Sequence, residues 1–293
     1  MDLLALRYFQ TVARLEHVGK AADQLRVAQP SLSRTLARLE NDLGAPLFDR
    51  RGRRIRLNSF GVAFLHRVDR ALAELDDAKQ ELADAVGLER GTVALAAETL
   101  IPLVEPLRSF LADHPSVDVR LLQSSAAAMA EQLRTGEVDL CVASQPLNGP
   151  GVQCRVLLDE PVLVCVPIGH RLADRGRVSI QDLAGEPFLT TRPGYWQRML
   201  AERLFAKAGL DLRVVCEGDE PSVLFDLVGA GLGLGFIPSI GRRSTVHTTV
   251  VWLDVDDPDC RRVLSLAWRD DAYLSAAAQR LRDHTIEHFR NLS

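Results

Sequence analysis

The 293-residue sequence has no apolar run approaching the roughly eighteen residues that a membrane-spanning helix needs, so no membrane partner is expected. Nothing in it reads as a targeting signal, because the N-terminus enters an amphipathic pattern directly through Leu3, Leu4, Leu6, Phe9, Val12 and Ala13; a cytoplasmic location is expected. GxxxxGK[ST], HExxH and GxSxG are all missing, and the histidines are scattered without recognisable partners. No catalytic residue can therefore be named, and an enzyme is not expected. The alternating glycines from Gly229 to Gly235 never give GxGxxG, and they follow a helical pattern and precede a strand, the reverse of a dinucleotide loop. Five dispersed cysteines, Cys141, Cys154, Cys165, Cys216 and Cys260, include no CxxC, so neither a metal site nor a disulfide framework is expected. None has the cationic neighbours that would lower a thiol pKa.

What is present begins with an uneven charge distribution. The chain carries 35 Lys+Arg against 39 Asp+Glu, a net charge of −4, yet the first 70 residues are net basic and the remainder is net acidic. A basic head on an acidic body suits a chain that meets phosphates with one end only. Within that head, residues 21–40 read as two short helices joined by a tight turn. Pro30 is placed to start the second helix with Gln29 at its cap, since a missing N–H costs nothing at a helix start. Leu32, Leu36, Leu39 and Leu43 lie on one stripe, which leaves Ser31, Ser33, Arg34, Thr35 and Arg38 on the opposite face. Gly44 closes this helix, and a hairpin turning at Arg51 and Gly52 follows, with Arg50, Arg51, Arg53, Arg54 and Arg56 crowded into it. A basic hairpin beside a polar, basic helix is a winged helix-turn-helix pattern. The helix would read base edges and the wing would neutralise phosphates.

The run from Ala21-Ala22 to Gln29-Pro30-Ser31-Leu32-Ser33-Arg34, with Leu39-Glu40, Leu43-Gly44, Leu47-Phe48 and Arg50 at fixed spacing, resembles the N-terminal signature of the LysR-type transcriptional regulators. One departure is visible: where such regulators commonly place a small hydroxyl residue to cap the helix holding Ala21-Ala22, this chain has His17-Val18-Gly19, with glycine an acceptable cap. The resemblance implies a sequence-specific, non-enzymatic DNA-binding regulator whose activity responds to a small-molecule inducer and which needs no other cofactor. Its implied partners are double-stranded DNA bearing an interrupted inverted repeat, a second copy in a dimer or a dimer of dimers, and RNA polymerase.

From Ser59 to about Val86 runs a helical pattern with Leu65, Val68, Leu72, Leu75, Leu82 and Val86 on one seam. A helix of that length would span about 40 Å, too far for a small head to cover, so Leu65, Val68, Leu72, Leu75 and Leu82 are expected to pair with a second copy. Lys79 falls on this seam, either fixing register or marking a fraying end. Beyond a glycine-flanked linker the pattern alternates strand and helix, giving βαβαβ and then a second α/β unit, with the last helix returning to the first lobe. The expected plan is a winged helix-turn-helix over residues 1–58, a dimerising helix over 59–88, and a two-lobed α/β effector-binding domain, similar to periplasmic binding proteins, over 91–293. Lobe 1 would comprise about 91–161 and 268–293, and lobe 2 about 162–267.

Strand ends facing the inter-lobe cleft supply Thr99, Leu100, Ser124, Ser125, Ser144, Thr190, Thr191, Arg192 and Asp219. The resemblance implies that these line an inducer pocket, hydroxyls suiting a polar ligand and Arg192 a carboxylate. Ser124 or Ser125 would alternatively just cap the next helix, and Arg192 would face solvent. Glu98 brings an acid beside this pocket, and pointing inward it would disfavour a simple carboxylate. Without its basic head the two-lobed half would read as a solute-binding protein; an architectural DNA binder with an unused cleft is a further alternative.

Overall fold

A computed structural model describes residues 2–51, 54–85, 91–218, 223–244 and 249–292, which fall into two compact units. The first contains α1 (Leu3–Leu15), α2 (Val18–Leu25), α3 (Gln29–Leu43), the hairpin β1 (Phe48–Arg51) and β2 (Arg54–Leu57), and α4 (Ser59–Ala85). Asp2 caps α1 by accepting the Ala5 N–H at 2.7 Å. The cap of α2 is His17, whose Nδ1 accepts from the Lys20 N–H at 3.2 Å, and not the neighbouring glycine that the sequence suggested. The cap of α3 is Ala28, one residue earlier than expected, so Gln29 and Pro30 both lie inside the helix. Gly44 closes α3 at φ 70°, a left-handed conformation that glycine adopts without strain. Phe9, Val12, Leu32, Leu36, Leu39, Leu47, Phe48 and Ile55 form one buried core, with Phe9 touching Phe48 and Phe64 at ring separations of 5.5 and 5.3 Å. Leu43, expected on the buried stripe, is instead exposed at the end of its helix.

The long helix corrects the expected seam. Val68 and Leu72 are each only 2% exposed because they complete the head's own core, with Leu65 packed partly against it. Only Leu75 and Leu82, at 43% and 68%, remain open for a partner. The reason is that α4 does not leave the head at its first turn. Arg7 grips both carboxylate oxygens of Asp76 at 2.6 and 2.7 Å, and buried Asp69 accepts Gln10 Nε2 at 2.6 Å, which together hold α4 along α1. Lys79 pairs with Asp76 at 3.5 Å within the helix. Val86 lies outside the described residues.

The second unit contains β3 (Thr92–Ala97), α5 (Val104–Asp113), β4 (Asp118–Gln123), α6 (Ala126–Thr135), β5 (Leu140–Ala143), β6 (Val152–Pro167), β7 (Arg177–Val178), β8 (Phe188–Thr191), α7 (Trp196–Lys207), β9 (Val214–Gly218), α8 (Val223–Gly229), β10 (Gly235–Pro238), α9 (Gly241–Ser244), β11 (Val250–Val255), β12 (Arg261–Arg269) and α10 (Ala276–Arg290). Parallel β4, β3 and β5 form the expected βαβαβ half. The sheet then continues through β12, β6, β11 and β7, with β10 also on β6, while β8 and β9 pair separately and in parallel. Strands β12, β10 and β11 all run antiparallel to β6, so the second half is mixed rather than purely parallel. The lobe boundaries expected near residues 161 and 268 fall inside β6 and β12. Two long strands therefore pass from one lobe into the other, each lobe keeping its own core, around Phe110, Leu140 and Leu281 in the first and around Phe188, Leu204 and Phe236 in the second.

Candidate functional site

Burying Leu32, Leu36 and Leu39 turns the other face of α3 outward. Gln29, Pro30, Ser31, Arg34 and Arg38 are exposed there, and Ser33 and Thr35 are half-buried. Arg34 Nε donates to the Pro30 carbonyl at 3.3 Å and Thr35 Oγ1 to the Ser31 carbonyl at 3.1 Å, which holds both side chains along the first two turns. On the wing, Arg51, expected in the turn, pairs instead with Arg54 across the hairpin. Arg50, Arg51 and Arg54 are thus strand residues, Arg56 is exposed and pairs loosely with Glu16 at 3.8 Å, and Arg53 lies outside the described residues.

In the second unit the cleft is built around three buried charged side chains, Glu98 from its first lobe and Glu160 and Arg262 from its crossover strands. Glu98, at the end of β3 and 2% exposed, accepts the Ser144 N–H at 2.8 Å, Gln145 Nε2 at 3.0 Å and the Trp196 backbone N–H that opens α7. Burial pushes its carboxyl pKa up, and those hydrogen bonds with the positive charge of Arg262 only partly offset the rise. Arg262 on β12 stands opposite Glu160 on β6 in register, and its Nε and a terminal nitrogen both reach Glu160 Oε1. The other Glu160 oxygen accepts Ser239 Oγ at 2.9 Å and the Ile240 N–H at 2.7 Å, and the guanidinium lies 5.2 Å from the Trp196 ring centre.

Two cavities share Trp196 and Arg262 as walls. One, of about 30 Å³, is lined by Thr99, Ile101, Pro102, Gln197, Phe225 and Ile237 among others; the second, of about 560 Å³, includes Ser144, Gln145, Met199, Arg203, Asp259 and Val263. The expected pocket residues are divided accordingly. Thr99 and Ser144 line these cavities. Leu100 packs on the first lobe's core, Ser124 is buried, and Ser125 accepts the Ala128 N–H at 3.4 Å in the capping role weighed above. Thr190 and Thr191 are buried strand residues, Arg192 is exposed, none of the three lines either cavity, and Asp219 lies outside the described residues. Arg262, Glu160, Gln145, Trp196 and Gln197 were missed. The available signal was two doublets of opposite charge, Asp159-Glu160 within one apolar run and Arg261-Arg262 at the start of another. Cys141, Cys165 and Cys260 are buried, and burial pushes the Cys260 thiol up to about 12, so none of these three is a reactive thiolate. Among the described residues no helix is long and apolar enough to cross a membrane.

Residues 3–62 match the family described as bacterial regulatory helix-turn-helix protein, lysR family, and residues 87–290 match the LysR substrate binding domain. The chain is 36% identical to the uncharacterized HTH-type transcriptional regulator YybE of Bacillus subtilis (strain 168), across 99% of each chain. It is 31% identical to the transcriptional dual regulator GltC of the same organism, over 100% of this chain and 99% of that one. Among solved structures it is similar in fold to a full-length OxyR variant from Pseudomonas aeruginosa, with TM-score 0.73 and 22% identity over 99% of this chain and 95% of the other. It also resembles the regulatory domain of Synechocystis PCC6803 CcmR in complex with 2-PG, with TM-score 0.63 and 22% identity over 69% of this chain and 99% of that one.

Proposed function

Because the chain belongs to the LysR family of transcriptional regulators, a family of non-enzymatic, oligomeric DNA-binding proteins with an effector-binding domain, we propose how its two units divide the work. The observation that carries the reading is the exposed polar and basic first half of α3, flanked by the arginine-bearing hairpin. Gln29, Ser31, Ser33, Arg34, Thr35 and Arg38 read base edges in the major groove, and Arg50, Arg51, Arg53 and Arg54 contact phosphates. A dimer, and a dimer of dimers built from it, addresses an interrupted inverted repeat with half-sites about one helical turn or a multiple apart. The protein acts in the cytoplasm, requires no cofactor, and engages RNA polymerase at its promoters. A small molecule between the lobes, touching Thr99 and the Trp196 side of the cleft, changes lobe closure and thereby the spacing of the heads.

Fluorescence anisotropy with the DNA immediately upstream of the protein's own coding region, at two salt concentrations, tests the DNA half of this reading. Wild type should bind tightly and salt-sensitively, whereas Arg34→Ala should lose about 1–3 kcal/mol of discrimination between that site and scrambled DNA. Equal preference in the two proteins would remove α3 from the readout. For the effector half, a compound found by screening for altered footprints should act on wild type and fail on Thr99→Val, whose basal DNA affinity stays unchanged.

A further inference from the structure

Two positions in the cleft that would hold an anion are already filled from within the chain. Glu98 receives donors from two directions: Ser144 and Gln145 beyond the end of β5, and the Trp196 N–H at the start of α7. Gln145 Nε2 is fixed in that role because it also donates to the Gly194 carbonyl at 3.0 Å, just before α7. The first N–H groups of a helix favour a negative charge, and here the chain supplies one itself. The buried guanidinium of Arg262 is likewise committed to Glu160, whose second oxygen is held by Ser239 and Ile240. The space of about 30 Å³ beside them, room for about one water, is walled by Ile101, Pro102, Phe225, Ile237, Thr99 and Gln197. Gln197 is 4% exposed; its Nε2 donates to the Phe236 carbonyl at 3.0 Å, while its Oε1 has no hydrogen-bond partner.

We infer that the Glu98 carboxylate is a resident substitute for an anionic ligand, so that the donors of Ser144, Gln145 and the start of α7 are closed to small carboxylates. This deepens the effector reading of the cleft and rests on it. Glu98→Ala deletes the equivalent of one acetate ion and leaves the Ser144, Gln145 and Trp196 donors facing the vacancy. Acetate titrated against full-length Glu98→Ala, followed by calorimetry and melting temperature, should bind saturably and raise the melting temperature. Acetamide, the same shape without charge, should bind about tenfold more weakly. Wild type should show no saturable acetate binding. Saturable binding of acetate to wild type, or equal binding of acetate and acetamide to the variant, would overturn the inference. If Glu98→Ala folds only when acetate is present, that rescue supports the inference. If it does not fold at all, Glu98→Ser, which leaves a hydroxyl for one donor, is titrated in its place with the same expected outcomes. DNA binding by the same wild-type preparation is measured in parallel: its absence would remove the regulator reading and leave the acetate result standing.

Discussion

Glu160 and Arg262 are both almost completely buried, so each is tolerable only because the other is present and the remaining lone pairs are satisfied. Removing one partner leaves an unpaired charge in the interior. Arg262→Ala should therefore cost about 3–5 kcal/mol in chemical denaturation, and Glu160→Gln with Arg262→Met together should cost much less than the single change. A cost for the pair as large as for the single variant would show that the two side chains matter separately. Glu98 differs in sign. Its folded pKa lies above the unfolded value, so the native state holds the proton more tightly, and stability falls as pH rises from about 4.5 through the folded pKa. The stability of wild type relative to Glu98→Gln should thus be greatest at acid pH and decline toward neutrality. A difference that stays level between pH 4 and 7 would mean that Glu98 titrates normally.

At the scale of elements, α4 separates two environments that one heptad pattern merges, buried at Val68 and Leu72 and exposed at Leu75 and Leu82. Leu72→Asp places a charge in the head's core and should unfold the head, seen as lost helicity in circular dichroism. Leu82→Asp, on an exposed position of the same helix, should leave the head folded and weaken the dimer in sedimentation. If Leu82→Asp stays fully dimeric, a different surface carries the assembly. The residue spacing in α4 was legible, but spacing gives a face and not its partner. Asp69 and Asp76, which seat the helix on α1, are separated from Gln10 and Arg7 by tens of residues. The same limit explains the cleft. Strands and helices were readable from their periods, and Thr99 and Ser144 from their places at strand ends, whereas β11 and β12 were missed. The charges of β12 stand at its two ends, and its Arg262 finds Glu160 only through long-range pairing. Ser125 is a local matter, a hydroxyl one residue before a helix, and its capping role was readable from that position alone.

For the whole molecule, the division into a basic head and an acidic body matches the division into two units, the second of which is knit by strands rather than loops. Strand β6 carries β12 along its first part and β10 and β11 along its last, so both lobes hydrogen-bond to one continuous segment. Hydrogen exchange read by mass spectrometry should find residues 152–167 and 261–269 among the slowest in the second unit. Fast exchange there, with two protected lobes on either side, would mean that the lobes unfold independently.

Gly61 sits where α4 begins, and a Cβ on it would come within 2.0 Å of the Leu47 carbonyl oxygen. Asn58 ties the same corner, with its Oδ1 accepting the Gly61 N–H at 2.8 Å and its Nδ2 donating to the Pro46 carbonyl at 2.8 Å. The hairpin and the start of the long helix are consequently tied to one another at this corner, from which a shaft about 40 Å long runs on. Tilting such a shaft by about 10° moves one end relative to the other by about 7 Å, equal to about two base-pair steps of DNA. A glycine too small to be noticed in a pattern of leucines thus decides where the fulcrum of that lever stands against the hairpin.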